Sequence, residues 1–313
     1  MAIIKTNIDE AIARIDDWKG KKVTYAPVPG GITNPNFKVN VDGKNFFLKI
    51  PGAGTDFIDR NNCHEANMIA SETGTGAKVC YYFEDTGVEV FEWLEGYRTL
   101  TFGDVYDEKI FVKMFEAIAR FHNVEGRKLP LVQSVFEQAR DMKARAQAGD
   151  YMPPWEGRME YLLNTIEAAM MKHGMVQKPC HNDFWTNNMM YNEETGDLKI
   201  IDLEYASMND PYYDLGLIAG GNYFTEAMDV KLCTIYHGGK FDEVGFAKMK
   251  LYKIVSDIKW SYWALQQAVN SDVDFDYYNW YGMKVARLQH LWEDPRVDMW
   301  INLLNGTPAF KSV

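Results

Sequence analysis

The spacing of apolar and polar positions changes character along the chain. Ile8, Ile12 and Ile15 recur at helical intervals behind the capping pair Asn7 and Glu10, which predicts a helix running to Gly20. The period then drops to two. Residues 23–28 read as a strand, and Phe37, Val39 and Val41 form one face of a second. Asp42-Gly43 turns that strand into a third over residues 45–50, a strong hairpin signal. Residues 59–73 read as a helix. A further strand pair, 78–83 and 88–94, flanks the turn at Asp85-Thr86-Gly87.

Beyond Gly96 the pattern is that of long helices. Phe111, Met114, Phe115, Ile118 and Phe121 make one apolar stripe, and Met159, Leu162, Leu163, Ile166 and Met170 make another that ends at Gly174. A third helical run covers 244–268, and the β signal in this half is confined to 189–191 and 198–203. The expected fold is therefore α+β and two-lobed. Residues 1–95 form a small, mostly antiparallel sheet with one main helix, and residues 96–313 form a larger, mostly helical lobe. The join falls near Trp93 to Gly96.

Composition narrows the partners. Against 33 Lys and Arg stand 44 Asp and Glu, a net charge of −11 with no dense basic run, which argues against nucleic acid. Four scattered cysteines without a CxxC pair suggest reduced thiols. The opening MAIIKTNIDE is too charged for a signal peptide, and no window approaches the ~18 apolar residues needed for membrane insertion. The expected location is cytoplasmic.

Candidate chemistry concentrates in "CHNDFWTNN", residues 180–188. Asp183 and Asn188 flank a short loop before one strand, and Asp202 closes the partner strand of the same hairpin. A hairpin returns its ends to one place, so three oxygen-bearing side chains can converge. Phosphoryl transfer from ATP needs such a set: a carboxylate to orient the accepting hydroxyl, and oxygen ligands for Mg2+. Asp183 takes the first role, Asn188 and Asp202 the second, while His181 packs to hold the loop. In the first half, Gly30, Gly31, Thr33 and Asn34 lie between two strands, where small residues let backbone N–H groups approach phosphates. Lys49 on the third strand is placed to meet the α- and β-phosphates, and Glu65 on the following helix is the expected ion-pair partner that orients it.

These segments, with "FLKIPGAGTDFIDRNN" and "IDLEYASMNDPYYDLG", resemble the choline/ethanolamine kinases, a branch of the protein-kinase-like group that includes the aminoglycoside phosphotransferases. The resemblance runs through nearly the whole chain. It implies that Asp183 is the catalytic base and that Asn188 and Asp202 are metal ligands. Glu92, Trp93 and Leu94 would be the hinge whose backbone meets adenine. Glu204 would lie near metal and acceptor, and Asp214 would brace the catalytic lobe. Lys49 departs from the arginine of many eukaryotic members but keeps the positive charge. Choline offers no N–H donors, so aromatic faces must hold its cationic end. The resemblance places Trp260, Trp263, Tyr277 and Trp280 around it. The expected activity is ATP- and Mg2+-dependent phosphorylation of choline or ethanolamine. The alternatives are a kinase of the same fold for an aminoglycoside or a sugar, and a non-catalytic nucleotide-binding module.

Overall fold

The computed structural model describes residues 4–29, 34–52, 55, 57–147, 155–271 and 274–306. Gly30, Gly31 and Thr33 of the expected phosphate loop lie outside the described residues. The capping box at Asn7 and Glu10 forms, but helix α1 (Ile8–Ala13) stops well short of Gly20 and gives way to a single 3-10 turn at Asp16–Trp18. Both pieces do one job. Ala11, Ile15 and Trp18 cover the inner face of the sheet, against Val39, Val41, Phe46 and Leu48.

That sheet is antiparallel, with β1 (Val23–Pro27), β2 (Asn36–Val41), β3 (Lys44–Lys49), β4 (Val79–Phe83) and β5 (Val88–Glu92) in the order β1-β2-β3-β5-β4. The β2–β3 turn places Asp42 and Gly43 at φ of 50° and 90°, the left-handed pair that a two-residue hairpin requires. Register then puts Lys49 opposite Glu89 and Leu48 opposite Val90, so Leu48 enters the sheet core while Lys49 faces the other side.

Helix α2 (Arg60–Glu72) starts at Asp59, whose side chain accepts from the Asn62 N–H. Its apolar face does not join the sheet core. Ala66, Ile69 and Ala70 belong to the large core of the helical lobe. The Asn62 side chain also bonds there, donating to Ala206 O at 2.7 Å and accepting from Leu131 N at 2.9 Å.

After residues 93–96 the chain enters β6 (Tyr97–Thr99), then α3 (Glu108–His122), α4 (Val135–Ala146) and α5 (Glu156–His173). The stripes expected on α3 and α5 are buried, and α5 ends at Gly174 with φ 98°. β7 (Lys178–Cys180) pairs with β10 (Ser207–Asn209), and β8 (Met189–Asn192) pairs with both β6 and β9 (Leu198–Ile200). The expected strand over 198–203 is thus cut at Ile200, and β6, β7 and β10 add to the β structure expected in this half.

The remaining helices are α6 (Tyr212–Gly221), α7 (Glu226–Tyr236), α8 (Glu243–Asn270), α9 (Tyr277–Trp292) and α10 (Val297–Leu304). Helix α8 is the axis of the lobe, and every residue from Gly245 to Gln267 is buried. Its buried charges are partnered. Lys250 and Lys253 meet Asp229 at 2.9 and 2.6 Å, and Asp257 pairs with Arg287.

Candidate active site

The β7–β8 connection carries the catalytic-loop sequence, and a buried carboxylate fixes its shape. Asp214, in the first turn of α6, accepts from the backbone N–H groups of His181 and Asn182, both at 2.7 Å, and bonds His122 Nε2 at 2.9 Å. Asn182 sits at φ 61°, a left-handed conformation that Asn tolerates. His181 contacts Ile201 O through Nε2 at 2.9 Å, and its Nδ1 lies 3.3 Å from the Asp183 N–H that donates to it. Burial lowers its pKa, so the ring is neutral with Nε2 as donor. His181 therefore braces the loop.

Asn188 follows on a short 3-10 turn, and its carbonyl accepts from Ile201 N at 2.9 Å, which sets it beside Asp202. Its amide donates to Asp183 O at 2.9 Å and to Asp183 Oδ2 at 3.0 Å. That arrangement leaves Asn188 Oδ1 available as a metal ligand. Asp202 lies just past β9 at φ 65°. One carboxylate and one amide oxygen are a donor set suited to magnesium, which takes few protein ligands and keeps several waters.

Burial pushes the Asp183 carboxyl up, and Asp202 adds to the rise, although Lys259 pulls the other way; the result is about 7. Lys259 is the reciprocal case, lowered to about 7 by burial and raised only in part by Asp183 and Asp214. Its ammonium donates to Asn182 O at 2.9 Å behind the loop.

A second cluster bridges the lobes. Lys49 Nζ lies 2.7 Å from Asp202 Oδ1 and 2.9 Å from Glu204 Oε1. Arg60, the first residue of α2, also pairs with Glu204, and Asn34 donates to the same oxygen at 2.8 Å. Burial pushes the Glu204 carboxyl up, but Lys49 and Arg60 outweigh it and hold it at about 2. The expected Lys49–Glu65 pair does not form. Glu65 lies five residues after Arg60, about 140° round the helix, and pairs instead with Arg127 at 3.1 Å. Glu89 on β5 links α2 to the sheet, bonding His64 at 2.8 Å and Asn67 at 2.7 Å, and Tyr82 on β4 adds a hydrogen bond to Asn61.

Both clusters open onto one cavity of about 1000 Å³. Glu92, Trp93 and Leu94 line one end, where the chain leaves β5. Trp260, Trp263 and Trp280 line it elsewhere, together with Trp185 from the loop. Trp260 and Trp263 are edge-on at 5.6 Å, and Trp263 donates to Tyr205 Oη at 3.0 Å. The Trp185 ring is seated against Gly221, where a Cβ would fall 1.9 Å from it. Tyr277 does not reach this cavity. It is buried behind Trp263 at 5.9 Å, with its hydroxyl 2.9 Å from Ser271 Oγ, because the first turn of α9 aims it at α8.

Sequence reasoning missed Arg60, Trp185, Lys259 and Lys284. Arg60 and Trp185 lay inside quoted motif segments and Lys259 beside a motif residue, whereas Lys284 carried no signal.

Comparison with known proteins decides the family. The Choline/ethanolamine kinase family model matches residues 25–235. The chain belongs to the choline/ethanolamine kinase family. Among curated relatives, Protein LicA of Haemophilus influenzae is 26% identical over 243 residues, covering 75% of this chain and 70% of its own. Probable ethanolamine kinase A of Dictyostelium discoideum is 26% identical over 328 residues, covering 91% and 88%. The crystal structure of a choline/ethanolamine kinase family protein from Mesorhizobium loti superposes with TM-score 0.81 at 24% identity, covering 95% of this chain and 99% of that one. This family member is thus a small-molecule kinase with a protein-kinase-like fold. Among the described residues of the kinase, no helix is long and apolar enough to cross a membrane.

Proposed function

We propose that this kinase transfers the γ-phosphoryl group of ATP to the hydroxyl of choline or ethanolamine. Residues 1–95 would serve mainly the nucleotide and residues 96–313 the acceptor, and the four free cysteines suit a reducing cytoplasm. The observation that carries the reading is the single cavity, which joins Lys49, Asp183 and Asp202 to Trp260, Trp263 and Trp280.

Bound ATP and magnesium would supply the electrophilic phosphorus and a cation shared between phosphates. The chain's own groups do the rest. Asp202 and Asn188 Oδ1 offer the metal two oxygen ligands, and Lys49 offers the phosphates a fixed ammonium. Asp183, held by Asn188 through the 3.0 Å bond, is aimed to accept the hydroxyl proton. Glu92, Trp93 and Leu94, which line the cavity where the chain leaves β5, would meet the base. Trp260, Trp263 and Trp280 would wall the acceptor end against water and offer an ammonium group aromatic surface. An aminoglycoside would need acidic walls instead.

An ATP-consumption screen over choline, ethanolamine, the methylated ethanolamines and aminoglycosides tests this. Turnover should be confined to the amino alcohols. Turnover of aminoglycosides alone, or of no amino alcohol, would overturn the reading.

A further inference from the structure

One side chain in the acceptor part of the cavity runs counter to a simple cation cage. Lys284 lies on α9 one turn after Trp280 and is buried, yet it lines the cavity. Its ammonium sits 4.9 Å from the ring centre of Trp280 and 5.1 Å from that of Trp185. Among the described residues no carboxylate forms an ion pair with it. Asp257, across on α8, is taken by Arg287. Burial, followed by the neighbouring charge of Arg287, lowers Lys284 to about 8 against the opposing pull of Asp257 and Asp183, so it remains mostly protonated at neutral pH. A buried cation held by two aromatic faces occupies the same electron-rich surface that an ammonium ligand would seek.

Resting on the acceptor class proposed above, we propose that Lys284 is a specificity-determining residue. Its own ammonium occupies the Trp185–Trp280 face and so weakens the binding of quaternary-ammonium acceptors relative to uncharged alcohols of the same shape. The cost arises in two ways. A trimethylammonium head brought to this face meets a like charge in a site partly closed to water, where screening is weak. It must also share or displace the cation already on the rings. An uncharged head of equal volume meets neither obstacle.

The test compares choline with 3,3-dimethylbutan-1-ol, its carbon isostere, as ligands of the parent kinase and of Lys284→Met. Dissociation constants are read from calorimetry, with melting temperature and nucleotide affinity as checks on folding. Removing the charge should tighten choline by roughly 10-fold or more at pH 7, while the isostere changes less than about 2-fold. Equal tightening of both would mean that Lys284 only takes up space. Weakened or unchanged choline binding would mean that its charge does not compete. Either result overturns the proposal. If Lys284→Met fails to fold, Lys284→Gln removes the charge at nearly constant length, and the same ratio decides. The readout is binding, so a kinase that binds choline without phosphorylating it would refute the proposed reaction and leave the Lys284 comparison intact.

Discussion

Replacing Asp214 with asparagine isolates the device that shapes the catalytic loop. The carboxylate accepts two backbone N–H groups at 2.7 Å and bonds His122 at 2.9 Å, and none of these atoms can reach water because Asp214 is 0% exposed. Hydrogen bonds to a charged acceptor contribute ~1.5–3 kcal/mol each, and a buried donor left without a partner costs ~1–3 kcal/mol. The substituted amide would keep one acceptor oxygen and turn an NH2 toward a donor. Because the three bonds share one group, their losses are not additive, and the expected cost is about 3–5 kcal/mol. Urea denaturation should show a lower midpoint at unchanged slope, and kcat should fall because His181 and Asn182 lose their fixed backbone and the adjoining Asp183 loses its placement. Acid adds a second check. Burial pushes the Asp214 carboxyl up, but the hydrogen bonds it accepts from His122 and from the His181 backbone help to hold it below the ordinary value. A depressed carboxyl contributes stability above its unfolded pKa of about 3.9 and loses it as pH falls through the folded value. The gap between parent and Asp214→Asn should therefore narrow below about pH 4. A variant within about 0.5 kcal/mol of the parent, with normal turnover, would refute this account of the loop.

Two further outcomes follow from the same site. Asp183 must be ionised to accept a proton, and burial raises it to about 7, so kcat/KM should fall as pH drops through that value; an acid limb at pH 4–5 would show that burial does not govern it. Trp263→Ala should raise the choline KM about 2- to 30-fold through a lost cation–π contact, whereas Tyr277→Ala, behind the wall, should mainly lower the melting temperature; equal effects on choline KM would erase the distinction drawn between them.

Most of what places the site was legible in the sequence, because it depends on local periodicity. Alternation in β3 put Lys49 on the face opposite Leu48. The hairpin signal brought Asp202 back to Asn188. The short strands β6, β7 and β10 were missed because three residues hardly display a period of two. The Lys49–Glu65 pair failed for a different reason. Which residue of α2 meets the sheet depends on the rotation of the helix, and that is set by Ala66, Ile69 and Ala70 seating in a distant core. Tyr277 was misjudged on the same ground, since its aim depends on how α9 crosses α8. Lys284 was invisible because nothing local marks a lysine that will be buried between two tryptophans.

The seating of α2 has a consequence for control. In protein kinases, the matching helix can be moved to assemble or disassemble the phosphate-binding lysine pair, which makes it a handle for regulation. Here, swinging α2 outward would uncover Ala66, Ile69 and Ala70 and break both bonds of Asn62 to the helical lobe. It would also pull Arg60 off the buried Glu204. Because Glu89 ties the same helix to the sheet, such a swing would break contacts with both lobes, and α2 acts as a clamp between them.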